Sequence, residues 1–412
     1  MYNIVYRGMD KMSKVNILLV GGYDPTGGAG IVADVKTVKL LGCNPLTVIT
    51  SLIPQNNKKV YSKVDLPRDV IENQLQAIFE DFQVSTVKTG VLTGDAIDIL
   101  LNYQKEYNFK IVCDPVLRST TGYTFIDDKT LKKYFELFKR SLLILPNFQE
   151  YNIIRRSKYF KDLEKEDNYI LITGIEDKLL YKGNIIRKFR GRKIDREVHG
   201  TGCVFASAVA SFIAKGYNIV DAIEEGKRVV LTSVIYATKT KYGYNSNPVY
   251  ISREGVLKSL YYAFHLLRDM NLQHLIPEDG SYVGECLVLP RGIEDVASLR
   301  ITEKGKVEYV EFGVPNIVSK MIITINYYNP KVRSAMTIRY SPDILEVLRE
   351  CGFTLFSLSD KMENRGIEED VKIVCKKSDR APDVIYLRDK IIVFGEDAVD
   401  VVKKIEKMYE VL

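Results

Sequence analysis

Histidine and cysteine are scarce in this sequence, and tryptophan is absent from it. Its 412 residues include three histidines and six cysteines. The cysteines form no C-x-x-C pair and stand at wide, irregular spacings. These spacings argue against a disulfide framework and against a zinc site. We therefore expect small, buried cysteine side chains, with Cys203 as the exception argued below.

Long apolar runs and a strong charge of one sign are also missing. No run approaches the ~20 apolar residues that span a bilayer. The polar residues 1–15 lack the apolar core of a signal peptide, so we expect a cytoplasmic protein with no membrane partner. Lys and Arg total 59 against 53 Asp and Glu, a net charge of +6. This excess suits anionic small molecules and is too small to indicate a nucleic-acid partner.

Short apolar segments alternate with amphipathic ones over residues 16–245. The apolar segments are rich in Val, Ile and Leu on both faces, as in parallel strands covered by helices. This alternation predicts a doubly wound α/β domain with a mostly parallel sheet flanked by helices. The predicted strands are 16–22, 45–52, 86–89, 110–114, 142–145 and 169–173, with a hairpin near 179–190 and helices at 28–41, 68–82, 202–215 and 219–238.

The texture of the chain changes at residues 239–253. This stretch is polar, carries Gly, Asn and Pro, and has no helical period, so it predicts a domain boundary. We expect one domain over residues 15–245 and a smaller one over residues 255–412. The second unit mixes predicted strands and helices, which is typical of an α/β or α+β domain.

The most informative segment is VHGTGCVFASA, residues 198–208. A strand-like run leads into Gly200, Thr201 and Gly202, and a helix begins at once. Small residues let a phosphate approach the backbone, and the free N–H groups of a helix's first turn favour an anion. Cys203 stands on that turn, where the pKa of a thiol tends to be lowered. A tight turn with a buried cysteine is the structural alternative.

Three further segments stand at the carboxyl ends of predicted strands. Open α/β sheets bind their ligands at these strand ends. The glycine-rich loop GGYDPTGGAG, residues 21–30, follows the first strand and matches neither a Walker A loop nor a dinucleotide fingerprint. Asp114 ends another strand. Asn147 and Glu150 follow a third, at a spacing that suits a hydrated Mg²⁺ beside a nucleotide. Alternatively the loop is purely structural, and Glu150 caps a helix.

Taken together, these segments resemble a known family. The ordered set GGYDPTGGAG, TSLIPQN, TVKTGVL, VCDPV, LPNFQE and HGTGC is similar to that of the hydroxymethylpyrimidine/phosphomethylpyrimidine kinases of thiamine biosynthesis, in the ribokinase superfamily. The resemblance covers about residues 15–245 and implies a ribokinase-like fold. It implies ATP as phosphoryl donor, Mg²⁺ as cofactor, and hydroxymethylpyrimidine and its monophosphate as substrates.

The resemblance also implies roles for individual residues. The pyrimidine is expected near Gly22, Asp24, Ala29 and Val91. The Gln55 amide should read the ring's amino group and nitrogen, because an amide both donates and accepts.

The remaining implied roles concern phosphoryl transfer. Cys203 corresponds to the family's catalytic base, and Gly200, Thr201 and Gly202 should stabilise the transferring phosphoryl group. Asp114, Asn147 and Glu150 match the Mg²⁺–nucleotide positions, with Mg²⁺ held through Asp114 and Glu150. Thr173 stands where the family has the lysine of Lys-Gly-Gly, so its contact with the nucleotide phosphates should differ.

Residues 255–412 resemble a second family. LIPEDG, LPRGIEDVASLR, EFG, VRSAMTIRY and APDVIY are similar to segments of the thiamine-phosphate synthase domain fused behind this kinase in archaea. That domain joins the pyrimidine diphosphate to thiazole phosphate and releases pyrophosphate. Arg300, Arg333 and Arg339 fit as phosphate binders, with a surface salt bridge as the alternative for each.

One departure keeps a second hypothesis open for residues 255–412. The synthase family has a Ser/His element after Phe-Gly, whereas this chain reads FGVPNIVSK and has no histidine beyond His274. The domain could therefore sense thiamine phosphate without forming it. A third hypothesis keeps the kinase fold with another small alcohol, such as pyridoxal or a sugar, as substrate. We expect small-molecule substrates and assembly as a homo-oligomer.

Overall fold

The computed structural model describes residues 15–190, 197–248, 252–270, 272–358, 366–377 and 381–411. The chain divides into two compact units, Met1–Val249 and Tyr250–Leu412. Within the described residues, no helix has both the length and the apolar character needed to cross a membrane, and none of the cysteines there forms a disulfide. Cys43, Cys113, Cys286 and Cys375 are buried, as predicted for small apolar side chains.

The first unit carries twelve of the described strands and eight of the described helices. The strands are β1 (Asn16–Tyr23), β2 (Asn44–Leu52), β3 (Val64–Asp65), β4 (Thr86–Thr89), β5 (Lys110–Cys113), β6 (Leu143–Ile144), β7 (Tyr169–Ile172), β8 (Glu176–Tyr181), β9 (Asn184–Arg190), β10 (Val198–His199), β11 (Thr238–Thr240) and β12 (Gly243–Asn245). The helices are α1 (Gly30–Leu40), α2 (Arg68–Asp81), α3 (Gly94–Tyr107), α4 (Asp128–Arg140), α5 (Phe148–Arg156), α6 (Phe160–Leu163), α7 (Thr201–Ala214) and α8 (Ile219–Ile235).

Nine of these strands form one sheet, in the order β3-β2-β1-β4-β5-β6-β7-β8-β9. The six neighbouring strands in the middle of this order pair in parallel, and they are β2, β1, β4, β5, β6 and β7. The other strands, β3, β8 and β9, join antiparallel at the edges. Alternate residues of β1 face opposite layers: Leu18 and Val20 enter one apolar cluster, and Ile17 and Leu19 enter another. The predicted doubly wound, mostly parallel sheet is therefore what the chain forms.

The predicted elements of this unit lie within a few residues of the observed ones. Helices α3 and α4 were not among them, although α4 is amphipathic and buries Tyr134, Phe135 and Phe138. The stretch predicted as an irregular boundary also holds structure, because β11 and β12 pair with each other and β12 pairs with β10. This small sheet lies beside the glycine-rich loop, where the Ser246 hydroxyl donates to the Gly28 carbonyl at 3.3 Å.

The second unit is an α+β domain. Its elements are α9 (Arg253–Asp269), β13 (Ser281–Cys286), β14 (Val296–Ile301), β15 (Val307–Phe312), α10 (Ile317–Tyr328), β16 (Ser334–Arg339), α11 (Pro342–Glu350), β17 (Leu355–Ser357), α12 (Ile367–Lys377), β18 (Val384–Tyr386), β19 (Lys390–Gly395) and α13 (Ala398–Tyr409). The seven strands form a sheet in the order β15-β14-β13-β16-β19-β18-β17, antiparallel except between β17 and β18.

Helices cover both faces of this second sheet. Along β19, Ile391 and Val393 pack in a cluster with α9, α11 and α13, whereas Ile392 and Phe394 pack in a cluster with α10 and α12. The two-residue period of a strand produces this division. It also explains why residues 391–394 of β19 are all apolar, since helices cover both faces of this strand.

Candidate active site

A pocket of about 270 Å³ opens at the carboxyl ends of the parallel strands in the first unit. Strand β1 pairs with β2 on one side and with β4 on the other, so the chain reverses its direction of winding at β1. A crevice forms at such a reversal because the loops leave the sheet in opposite directions. All thirteen residues that the sequence places in the N-terminal site line this one pocket.

The glycine-rich loop after β1 is organised by a buried carboxylate. Asp24 Oδ1 accepts from the backbone N–H and the hydroxyl of Thr26 at 2.9 and 2.8 Å, and Oδ2 accepts from the Ala29 N–H at 3.1 Å. Burial opposes ionisation, but the proximity of His199, whose Nε2 lies 3.7 Å from Oδ2, and the hydrogen bonds from Thr26 outweigh it and lower the pKa of Asp24. Asp24 therefore holds the loop and presents a fixed negative charge to the pocket.

Two glycines allow the loop and the start of α7 to approach each other. Gly30 has φ +59°, and a Cβ there would lie 2.4 Å from the Gly22 carbonyl oxygen. Gly200, the N-cap of α7, has φ +88°, and a Cβ there would lie 1.7 Å from the Gly28 oxygen. Only glycine meets both requirements. The first turn of α7, with Thr201, thus faces the pocket with its N–H groups unpaired by the helix.

One end of the pocket is apolar with a single amide. Ile53, Val91 and Phe125 form a buried cluster that lines it. Gln55 lines the same end, and no described residue hydrogen-bonds its side-chain amide. An apolar wall beside an amide that both donates and accepts suits a flat heteroaromatic ring. Gly22 stands against this wall, since a Cβ there would lie 2.5 Å from Ile53 Cδ1.

The predicted nucleotide residues line the same pocket. Asn147 is the N-cap of α5 and forms a capping box with Glu150. Glu150 Oε2 accepts from the Asn147 N–H at 3.0 Å, and Oε1 accepts from the Leu117 N–H at 3.2 Å. Thr173 joins this group through its backbone, which accepts from the Phe148 N–H at 3.1 Å. The capping role considered for Glu150 is therefore real, and the residue still lines the pocket.

Carboxylates in this pocket fit a magnesium ion that keeps most of its own water. Asp114 Oδ2 is buried without a hydrogen-bond partner in the described structure. Burial and the charge of Asp114 raise the pKa of Glu150 to about 8, which marks a site short of positive charge. The described residues include no group of three or more His, Cys, Asp or Glu side chains arranged around a metal. Mg²⁺ usually binds through one or two carboxylates plus phosphates, so the pair fits it.

A buried lysine that sequence reasoning missed lies beneath the pocket. Lys88 on β4 is 0% exposed, and its Nζ lies 3.0 Å from both carboxylate oxygens of Asp34 and 3.5 Å from Asp114 Oδ2. Although burial opposes the charge, the two carboxylates raise the pKa of Lys88, so it stays protonated. Ser207 donates to Asp34 at 2.8 Å. A lysine in the middle of a predicted strand of the parallel sheet was the available signal, because such strands are covered on both faces and buried lysines need partners.

The surroundings of Cys203 correct one expectation. The start of a helix was expected to lower its pKa, yet burial raises the pKa of the Cys203 thiol to about 12, helped by the negative charges of Asp34 and Asp114. The charge of Lys88 opposes this increase and does not overcome it. Desolvation of a thiolate outweighs the local helix dipole here. Cys203 is therefore a neutral thiol near pH 7 in the ligand-free chain.

A second feature that the sequence did not reveal is the loop formed by residues 116–125. Arg118, Ser119 and Thr120 from this loop line the pocket, and so does His199. The Thr120 hydroxyl lies 3.2 Å from His199 Nδ1. Within the sequence, Arg118 and Thr120 resemble ordinary polar loop residues, so only the folded chain identifies them as pocket residues.

The three arginines predicted to bind phosphate in the second unit have different surroundings. Arg333 is 5% exposed and donates to Glu285 at 3.1 Å and to the Cys286 carbonyl at 3.0 Å. Its described contacts are therefore structural, in place of the expected open phosphate ligand. Arg300 forms the surface ion pair considered as its alternative, with Glu308, and it also donates to the Asp279 carbonyl at 3.1 Å. Arg339 donates to the Ile276 carbonyl at 3.3 Å.

Comparison with known proteins gives two family matches that together span most of the chain. The profile of phosphomethylpyrimidine kinase matches residues 24–249, and that of thiamine-phosphate synthase ThiN matches residues 259–407. The bifunctional thiamine biosynthesis protein ThiDN of Methanocaldococcus jannaschii is 46% identical, over 96% of this chain and 99% of that protein. The hydroxymethylpyrimidine/phosphomethylpyrimidine kinase of Aquifex aeolicus is 33% identical, over 55% of this chain and 97% of that protein.

A solved structure supports the fold of the first unit. The ADP complex of Bacillus subtilis pyridoxal kinase has a TM-score of 0.51 and 26% sequence identity, and the match covers 57% of this chain and 98% of that one. This match confirms the predicted fold class of the first unit, and the two family matches confirm both family resemblances.

Proposed function

Because the chain belongs to the phosphomethylpyrimidine kinase family and also carries a thiamine-phosphate synthase domain, we propose that it performs consecutive steps of thiamine biosynthesis. Residues 15–245 phosphorylate hydroxymethylpyrimidine and then its monophosphate with ATP. Residues 255–412 couple the resulting diphosphate to thiazole phosphate. The observation that carries this proposal is the single pocket, which is lined by an apolar cluster, by the free amide of Gln55 and by the first turn of α7.

The pyrimidine ring binds at the apolar end. Ile53, Val91 and Phe125 contact its faces, and the Gln55 amide pairs with its amino group and adjacent nitrogen. The glycine-rich loop, held by Asp24, closes the side of the site and excludes water. Gly22 and Ala29 leave room for the ring because neither has a bulky side chain.

Phosphoryl transfer takes place at the start of α7. The hydroxymethyl oxygen attacks the γ-phosphorus of ATP, the bond to the β,γ-bridging oxygen breaks, and its electron pair leaves with ADP. The N–H groups of the turn from Gly200 to Gly202 stabilise the charge on the transferring group. Cys203, as a thiolate, takes the hydroxyl proton. Its raised pKa means that this thiolate is rare and strongly basic.

The nucleotide phosphates bind toward Asp114, Asn147 and Glu150. Asp114 and Glu150 would hold Mg²⁺, which when bound would neutralise part of the phosphate charge. The protein's own contribution is to orient both carboxylates, since Glu150 is fixed by the N–H groups of Asn147 and Leu117. Thr173 offers a hydroxyl where the family has a lysine, so the positive charge here comes from other groups.

In the C-terminal domain, Arg300 and Arg339 bind substrate phosphates. In the coupling step, the thiazole nitrogen bonds to the pyrimidine methylene carbon while the carbon–oxygen bond to pyrophosphate breaks. The separation of charge favours cations near the departing pyrophosphate, and the planar guanidinium suits its oxygens. The pyrimidine diphosphate made by the kinase is the substrate of this step, which gives the fusion its chemical sense.

The decisive experiment combines purified protein, Mg-ATP, hydroxymethylpyrimidine and thiazole phosphate, with products separated by mass. Thiamine phosphate is the expected product. Accumulation of pyrimidine diphosphate alone would assign residues 255–412 to sensing thiamine phosphate, the role suggested by the missing histidine. A cytoplasmic location is part of the proposal. Assembly as a homo-oligomer stays a prediction, which a molar mass measured by light scattering would test.

Selectivity for the pyrimidine is tested at Gln55. Substituting Gln55→Ala removes the amide without altering the apolar wall, so turnover of the pyrimidine should fall about 10–100-fold against other alcohols, as for a lost pair of buried hydrogen bonds. The measurement is kcat/KM for hydroxymethylpyrimidine and for pyridoxal. If pyrimidine selectivity survives the substitution, the ring binds elsewhere and a kinase of another small alcohol becomes the better hypothesis.

A further inference from the structure

Two different nucleophiles must use the same pocket if the proposed function holds. In the first reaction the nucleophile is the oxygen of the hydroxymethyl group that the ring carries. In the second it is an oxygen of the phosphate already transferred, which lies farther from the ring and carries negative charge. A pocket that binds the ring at one place therefore needs a separate group of donors for this additional phosphate.

The loop formed by residues 116–125 is built to hold such donors in position. Its base is tied by the Phe125 N–H donating to the Leu117 carbonyl at 3.0 Å, and its tip by the Ser119 N–H donating to the Tyr123 carbonyl at 2.8 Å. Phe125 at its end belongs to the apolar wall with Ile53 and Val91. The loop thus continues directly from the surface that receives the ring.

Arg118 is the cation of this loop. Its side chain lines the pocket, and the described residues give its guanidinium no hydrogen bond and no ion pair. The other basic side chain beneath the pocket, Lys88, is already matched by Asp34 and Asp114. Arg118 therefore offers several unoccupied donors in a geometry that suits a phosphate group.

His199 adds a second donor beside this loop. Its Nδ1 lies 3.2 Å from the Thr120 hydroxyl, and its buried Nε2 has no hydrogen-bond partner in the described structure. Asp24 Oδ2 lies 3.7 Å from Nε2, beyond hydrogen-bond distance. When Thr120 donates to Nδ1, the proton resides on Nε2, which then donates. His199 directly precedes Gly200, so this donor adjoins the transfer site.

We propose that Arg118 and His199 form a subsite for the phosphate of the monophosphate substrate, with Thr120 orienting the histidine. The proposal rests on the proposed kinase function and explains how one pocket serves both transfers. In the second transfer, one oxygen of the bound phosphate bonds to the γ-phosphorus of ATP. The γ-phosphorus bond to the bridging oxygen breaks, and ADP leaves with the electron pair. The phosphate dianion has no proton to lose.

The test compares Arg118→Met with the unaltered enzyme on each substrate separately. The ratio of kcat/KM for the monophosphate to kcat/KM for hydroxymethylpyrimidine should fall about 10–100-fold, the loss expected for charge-assisted hydrogen bonds. Affinity for the monophosphate measured by calorimetry without ATP should fall in parallel. Arg118→Lys should recover part of both, because it keeps the charge but not the fork of donors.

A matched control is Arg140→Met, which removes an exposed arginine that does not line the pocket and should leave the ratio unaltered. Thermal unfolding monitors whether each variant folds. An equal loss on both substrates with a raised KM for ATP would mean that Arg118 binds the nucleotide, and the proposal would be overturned. An unchanged ratio would overturn it as well. If the unaltered enzyme phosphorylates neither compound, the proposed function itself fails.

Discussion

The role of Cys203 can be tested through the pH dependence of the two phosphoryl transfers. The pKa of this thiol is raised to about 12, so at pH 8 only about one molecule in 10⁴ carries the thiolate. A reaction that needs the thiolate as base should therefore accelerate about tenfold for each pH unit between 7 and 10. Raising the pH increases the rate because deprotonation creates the active form.

The second transfer provides an internal comparison. Its nucleophile is a phosphate oxygen whose last proton dissociates near pH 6, at about the value of a phosphate monoester. No base is required above that pH, so kcat/KM for the monophosphate should become level once Glu150, with its pKa of about 8, has also ionised. The two substrates should then give different pH profiles in the same pocket, with the same ATP and the same protein.

Substitution of Cys203 completes the test. Cys203→Ala should slow phosphorylation of hydroxymethylpyrimidine about 10²–10⁴-fold, the usual loss for a general base, and abolish the slope in its pH profile. Phosphorylation of the monophosphate should fall far less. The assay is initial-rate formation of each product, with Cys43→Ala as the control because Cys43 is a buried cysteine that does not line the pocket.

Two outcomes would refute this reasoning. A level pH profile for hydroxymethylpyrimidine in the unaltered enzyme would mean that the thiolate is not the base. Near-normal turnover in Cys203→Ala would mean that the thiol is structural and that the N–H groups of α7 carry the catalysis.

The remaining predictions concern the two buried ion pairs. Lys88→Met should lower the free energy of unfolding by about 3–5 kcal/mol, because two buried carboxylates lose their cation, and Asp34→Asn in the same chain should restore part of the loss in urea unfolding. Unaltered stability of Lys88→Met would contradict the charge assignment. Arg333→Met should cost about as much, because Glu285 remains buried without its partner. If Arg333→Met instead keeps its stability but loses affinity for thiamine phosphate in calorimetry, Arg333 is a ligand.

Several features of the site could be predicted because they depend on local chemistry. Glycines at 28, 30 and 200 indicate close approaches of the backbone. A strand that leads into Gly200, Thr201 and Gly202 before a helix predicts an anion site. Strand and helix alternation predicts the sheet, and parallel strands bring their carboxyl ends to one edge. That geometry is enough to bring Asp114 and Asn147 to one edge of the sheet, whereas Gln55 was expected in the pocket from the family resemblance.

Other features depend on how distant segments pack, and the sequence by itself does not determine them. Whether Cys203 is acidic depends on its burial and on the charges of Asp34 and Asp114, which stand 169 and 89 positions away in the chain. The same holds for Arg333, whose role follows from the burial of Glu285 beneath α13.

The amino-acid sequence determines which chemical groups the protein has, where glycine gives the backbone the freedom it needs, and the apolar periods of strands and helices. Tertiary structure decides which charges face each other and which of them lose water. Electrostatic interactions depend on distance and on solvent exposure, and neither quantity is encoded in the spacing of residues along the chain. For this reason the pocket could be predicted from motifs, whereas the state of its thiol, its buried lysine and its unpaired arginine emerged only from the folded chain.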